Sequence, residues 1–141
     1  MSAERVFVDT NVLVYARDAS DPAKQRIAEE LLRQLWTERR GAISTQVLNE
    51  YYVTVTQKLR PGRSAALARE DVRFLSTWQP ITQDLALTET AWRIQDRYQT
   101  SWWDALIIAA AQRAECALLA SEDLSHGMQF DQVRVVNPFR P

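Results

Sequence analysis

Only one cysteine, Cys116, occurs in the chain, so a disulfide framework and a cysteine-built zinc site are both excluded. His126 is the only histidine, which removes ribonuclease chemistry by a histidine pair acting through the 2′-hydroxyl, and leaves no Ser–His–acid set. Glycine and proline are scarce at 3 and 5, too few for a disordered chain or a long linker, and no glycine-rich phosphate loop is present. No apolar run approaches the ~20 residues needed to span a bilayer. The start carries Glu4 and Arg5 rather than a basic segment leading into an apolar one, so a signal peptide is not expected. A reducing, cytoplasmic setting without membrane attachment is the expectation. The net charge of −1 rules out binding to nucleic acid by bulk electrostatics, so any such binding needs a local arrangement. Lysine is rare as well: of the 17 basic residues only Lys24 and Lys58 are lysines.

What is present is an ordinary globular composition, 46% hydrophobic and 25% charged, over 141 residues. A single domain spanning residues 1–141 is expected, long enough to bury roughly two thirds of its unfolded surface. Val6–Val8 reads as a buried strand followed by a short helix through Ala16. Asp21 and Pro22 are a cap and first position for a helix whose apolar stripe is Ile27, Leu31, Leu32 and Leu35. A second strand at 42–44 leads into a helix with Leu48, Tyr52, Val55 and Leu59 at helical spacing. Residues 60–63 form a turn, another helix begins at Ser64, and a weak third strand falls at 80–82. Helices from about Asp84 to Tyr98 and from Ser101 follow, the second being the most apolar and carrying Cys116 as a buried small hydrophobe. Residues 117–121 form a strand, 121–132 a loop with an exposed His126, and 133–136 a last strand. Short apolar strands alternating with helices predict an α/β fold: a three-layer sandwich with a mostly parallel central sheet of about five strands.

In such sheets ligands sit beyond the carboxyl ends of the strands. The acids found there each have an ordinary structural role. Asp9 can cap the helix that follows it. Asp104 completes a capping box with Ser101, and Glu50, off the apolar stripe of its helix, reads as a solvated side chain. Asp123 is a loop acid. Together they read differently, because two unit charges ~4 Å apart repel by about 4 kcal/mol at an effective dielectric near 20. An acidic cluster on one edge therefore needs protons, arginines or a divalent cation. Oxygen donors without Cys or several His favour Mg²⁺ or Mn²⁺, and such a site suits attack of an activated water on a phosphodiester. Trp102 and Trp103 can stack on bases or wedge the apolar helix against the sheet. Tyr51, Tyr52, Leu31, Leu32 and Leu35 can line a groove for a partner helix or simply pack the core.

The stretches VFVDTNVLVYA, ISTQVLNEYY, SWWDALIIAAA and LLASEDLSHG, with VRVVNPF behind them, resemble the PIN-domain nucleases, and among these the VapC-type toxins of bacterial toxin–antitoxin systems. The resemblance covers almost the whole chain with its motifs in order. It implies a catalytic set of Asp9, Glu50, Asp104 and Asp123. Of these, Asp9, Asp104 and Asp123 would contact Mg²⁺ or Mn²⁺, and Glu50 would complete the shell or act on the water. Thr10, Asn11 and Ser121 match supporting positions, and Glu122 is an alternative to Asp123. It also implies endoribonuclease activity on RNA, a small antitoxin protein whose tail covers the site, and a homodimer. The alternative is a PIN-like module that binds nucleic acid or protein without catalysis.

Overall fold

The computed structural model describes residues 4–141. Five strands form one sheet in the order β2-β1-β3-β5-β4, namely β1 (Val6–Val8), β2 (Gly41–Ala42), β3 (Leu118–Ala120), β4 (Gln129–Phe130) and β5 (Val133–Val136). Every neighbouring pair is parallel except β4 with β5. Six helices complete a three-layer α/β sandwich: α1 (Thr10–Tyr15), α2 (Pro22–Glu38), α3 (Thr45–Val53), α4 (Ala65–Leu75), α5 (Leu85–Tyr98) and α6 (Trp102–Arg113). The fold class expected from the alternation of strands and helices is the one found. Among the described residues no helix is long and apolar enough to cross a membrane.

The central position of β1 explains its uninterrupted apolar run. Phe7 and Val8 are fully buried because both sheet faces are covered. α6 is buried on nearly every side, from Ala105 through Ala111, so its sequence lacks the polar stripe that a surface helix carries. Capping follows local chemistry: Asp21, Ser44, Ser64, Asp84 and Ser101 each accept a backbone N–H of the first turn they precede.

The structure departs from the sequence expectations in several places. The second strand is Gly41–Ala42 rather than 42–44, because Ser44 has turned out to cap α3. The strand expected at 80–82 is reduced to one parallel bridge between Ser44 and Ile81. Pro80 has no N–H to offer a ladder, and Gln79 before it sits at φ 57°. The sheet is completed instead by β4, which lies within the expected 121–132 loop. There Asp131, at φ 55°, reverses the chain so that Phe130 pairs with Val133. In α2 the buried face is set by Ala28 and Leu35, and Ile27 is exposed. The helix after β2 stops being α-helical at Val53 and continues as a π-helical turn over Thr54–Lys58. Tyr51, not Tyr52, is the buried tyrosine there. Cys116 is fully buried but lies just past α6, its N–H bonded to the Ala111 carbonyl. His126 is exposed as expected, its Nδ1 accepting the Asn137 N–H at 3.0 Å.

β1 is the point where the connections diverge. The chain leaves it for β2 on one side and returns as β3 on the other. Val8 pairs with Ala120, and the Asp9 N–H reaches the Ala120 carbonyl at 3.0 Å, so Asp9 and Ser121 emerge side by side at the carboxyl edge.

Candidate active site

Asp9 leaves β1 in an extended conformation and begins α1, and its Oδ1 accepts the Thr10 N–H at 2.8 Å. Its other oxygen is held elsewhere. Oδ2 accepts from Ser121 Oγ at 2.7 Å and from Asn11 Nδ2 at 3.3 Å. The residue is only 7% exposed. Burial pushes its carboxyl up to about 6; the Ser121 and Thr10 hydrogen bonds resist that rise, and the charges of Asp123 and Glu50 add to it.

Two small polar residues of α1 tie the other acids to this edge. Thr10 Oγ1 donates to Glu50 Oε1 at 2.7 Å, drawing the side chain from α3 towards β1. Asn11 Nδ2 lies within 3.3 Å of Asp9 Oδ2 and Ser121 Oγ, and 3.2 Å from Asp123 Oδ2, three acceptors for two hydrogens. Its Oδ1 takes the Glu122 N–H at 3.1 Å, and Ser121 Oγ takes the Asp123 N–H at 3.1 Å, fixing the loop after β3. Thr10, Asn11 and Ser121 are thus each hydrogen-bonded to at least one of these carboxylates.

The capping box expected at the start of α6 is half made. Ser101 Oγ accepts the Asp104 N–H at 3.1 Å, while the Asp104 carboxylate has no hydrogen-bond partner among the described residues. It lines instead a cavity of about 710 Å³ shared with Asp9, Glu50 and Asp123. All four acids singled out in the sequence thus face one cavity. The two tryptophans divide their roles: Trp102 packs against the core, and Trp103, 61% exposed, stands on the cavity wall.

Glu122 also lines the cavity but is committed elsewhere. It pairs with the Lys24 ammonium and accepts from Tyr15 Oη at 2.8 Å. Burial works against its ionisation, yet Lys24 and Tyr15 hold its carboxyl below the ordinary value. The Lys24 ammonium also lies 4.7 Å from the Tyr15 ring centroid and 5.7 Å from that of Phe139, so this cluster straps the loop to α2 and to the C-terminal segment. Sequence reading missed the strap; its one signal was the rarity of lysine.

No three acids, histidines or cysteines gather closely enough among the described residues to form a ready-made metal cage. The donors facing the cavity are nevertheless all oxygen, the chemistry a hard divalent cation prefers. Mg²⁺ in particular is commonly held by one or two carboxylates, with water completing the shell. A desolvated Asp9 pressed by two like charges, and an Asp104 without a partner, are groups that a cation would relieve.

The family model of the PIN domain matches residues 6–133. Among solved structures, VapC20 of Mycobacterium tuberculosis, described as a Sarcin-Ricin loop cleaving toxin, is 24% identical with a TM-score of 0.63 and covers 84% of this chain and 91% of its own. A toxin–antitoxin complex from Klebsiella pneumoniae is 21% identical with a TM-score of 0.62, covering 94% and 97%. No curated protein matches. Likeness at these identities concerns the fold; the family match spans most of the sequence. The chain belongs to the PIN domain family.

Proposed function

We propose that residues 1–141 form one nuclease domain, a metal-dependent endoribonuclease acting as the toxin of a type II toxin–antitoxin pair in the cytoplasm. The observation that carries this reading is the shared cavity of Asp9, Glu50, Asp104 and Asp123, in which Asp9 is buried without a cationic partner. Support for the toxin assignment comes from the two structural neighbours, one described as a Sarcin-Ricin loop cleaving toxin and the other as a toxin–antitoxin complex.

In this reading Asp9, Asp104 and Asp123 hold Mg²⁺ or Mn²⁺. Such an ion supplies positive charge that polarises a phosphodiester and makes a water easier to deprotonate. The chain's own work is positional and acid–base. Thr10 fixes Glu50 Oε1 at 2.7 Å, and Oε2, which accepts only a long 3.5 Å hydrogen bond from Gln46 Nε2, would take the proton of the attacking water. Ser121 and Asn11 keep Asp9 Oδ2 in place, and Asn11 couples it to Asp123. Trp103 offers an exposed face for a base beside the cut. A small antitoxin would block the cavity, and a homodimer is the proposed assembly.

The test is cleavage of total cellular RNA by purified wild type and Asp104→Asn, in Mg²⁺ or Mn²⁺ and in chelator. Discrete wild-type cuts with 5′-phosphates, absent in the variant and in chelator, are expected. The lack of a preformed three-acid cage favours one other reading, a PIN module that binds without cutting. RNA binding without cleavage, unchanged in Asp104→Asn, would establish that reading instead.

A further inference from the structure

The cavity is overwhelmingly acidic. Asp9, Asp18, Glu50, Asp104, Glu122 and Asp123 all line it, and among the described residues the only basic side chain on its wall is Lys58. Lys58 is exposed and takes part in none of the ion pairs formed among the described residues. The other lysine is consumed by the Glu122 strap. A phosphodiester approaching this mouth meets repulsion from nearly every charged group except Lys58.

How Lys58 reaches the wall is a matter of helix register. From this helix the cavity receives Gln46, Asn49, Glu50 and Val53 of α3 and then Thr54, together spaced as one broad helical face. Continued at 3.6 residues per turn, the centre of that face would next present Gln57, with position 58 about 100° round towards its edge. It does not, because the chain makes a π-helical turn over Thr54–Lys58, closed by the Leu59 N–H to the Thr54 carbonyl at 2.9 Å. The extra residue rotates the following register by about 100°, one residue's share of an α-helical turn. Lys58 thereby takes the place of Gln57, and Gln57 is left off the cavity wall. π turns of this kind are rare and concentrate at functional sites.

We propose that Lys58, placed by this π turn, contacts a phosphate of the RNA strand flanking the cut; the proposal rests on the nuclease reading above. The lysine grips the strand while the acids manage the reacting group, so the residue sets substrate affinity rather than proton transfer.

The test measures binding of a short fluorescent single-stranded RNA of mixed sequence to Asp104→Asn protein in fixed Mg²⁺, over a range of KCl. Three proteins are compared: this parent, the parent with Lys58→Gln, and the parent with Gln57→Lys and Lys58→Gln together, which keeps the net charge. One lost phosphate contact lowers the salt slope by about 0.7 and, referred to 1 M salt, weakens binding at 0.1 M about fivefold. Lys58→Gln is expected to show both changes, and the exchanged pair is expected not to restore them, because position 57 faces away. Unchanged affinity and slope in Lys58→Gln, while wild type cleaves RNA, would overturn this inference alone. Full recovery in the exchanged pair would overturn the role of the π turn and leave only diffuse charge. A parent that binds no RNA at any salt would overturn this inference, and a wild type that also cleaves none would overturn the nuclease reading with it.

Discussion

Asp71 offers the sharpest test of how the helical layer holds α3 in place. Its side chain is 11% exposed and collects four hydrogen bonds. Arg63 approaches through Nε at 2.5 Å and a terminal nitrogen at 3.0 Å, Arg17 at 3.0 Å and Tyr51 Oη at 2.6 Å. The network joins the end of α1, the middle of α3, the turn after the π segment and α4. Tyr51 is the neighbour of Glu50, so the same contacts keep Glu50 beside Thr10. In Asp71→Ala the two guanidiniums can turn to water, being 24% and 43% exposed. The Tyr51 hydroxyl cannot, and its hydrogen is left without an acceptor, at a cost of about 1–3 kcal/mol. Breaking a buried pair costs about 3–5 kcal/mol, and the reach of both arginines to solvent puts this case at the lower end, about 3 kcal/mol. With a urea slope near 2 kcal/mol/M that is a midpoint about 1.5 M lower. Asp71→Asn, which keeps one acceptor, should lose roughly half as much. Burial works against the charge of Asp71, but Arg63 and Tyr51, helped by Arg17, hold its carboxyl below the ordinary value. A depressed carboxyl stabilises the fold above its unfolded pKa and loses that contribution as pH falls, so the gap between wild type and Asp71→Ala should narrow below about pH 4 to the part that the neutral acid, still accepting from Tyr51, supplies. A loss under about 1 kcal/mol, as for an exposed ion pair, or a gap that does not narrow in strong acid, would refute this account of the network.

Three further outcomes follow from particular contacts. Because Glu122 is occupied by Lys24 and Tyr15 while Asp123 shares Asn11 with Asp9, RNA cleavage should fall roughly 10–100-fold in Asp123→Asn and distinctly less in Glu122→Gln; equal losses would contradict the division between them. At Gly41 an added Cβ would lie 2.3 Å from the Trp78 ring, so Gly41→Ala should cost about 1–3 kcal/mol and alter tryptophan fluorescence through the adjacent Trp36–Phe74 stack. Burial pushes the Cys116 thiol up to about 11, so it should resist a disulfide reagent at pH 8 in the folded protein and react on unfolding, which a time course in denaturant would follow.

Elements specified by local chemistry were legible in the sequence. The β1 run, the Asp21-Pro22 start of α2, the Ser101 cap of α6 and the last strand all carry their signal within a few residues. So did the prospect of four acids at one sheet edge, since strand ends in a parallel sheet converge there. Features that depend on distant partners were not legible. β4 is two residues long and owes its existence to pairing with β5 across the Asp131 reversal. The π turn changes the register by one residue, which hydrophobic spacing does not resolve: Val55 is buried either way. Tyr51 and Tyr52 are interchangeable in a pattern, and only the position of Asp71 twenty residues on selects which one is buried and bonded. The Lys24–Glu122 pair spans 98 positions and leaves no local trace.

Asp9 can be weighed against the other capping aspartates of the same molecule. Capping needs an oxygen, not a charge, and Asn or Ser caps about as well as Asp. Where aspartate caps α5, the charge is compensated: Asp84 pairs with Arg113 at 3.0 Å, and that guanidinium, with the Leu87 N–H, draws its carboxyl down. At the start of α1 the opposite holds. Asp9 is buried, faces Glu50 and Asp123 rather than an arginine, and its carboxyl is driven up. An asparagine there would accept the Thr10 N–H with no desolvated charge, so the cap alone does not account for the carboxylate. What sets this cap apart is the negative charge gathered at the cavity, and its neighbours share the bias. Ser121 and Asn11 spend their donors on the oxygen that the helix does not use, and Thr10 draws in a second acid instead of a base. A surface that concentrates like charge in this way suits a positively charged partner, and the carboxylates facing the open cavity are the oxygen donors that the proposed divalent cation would take.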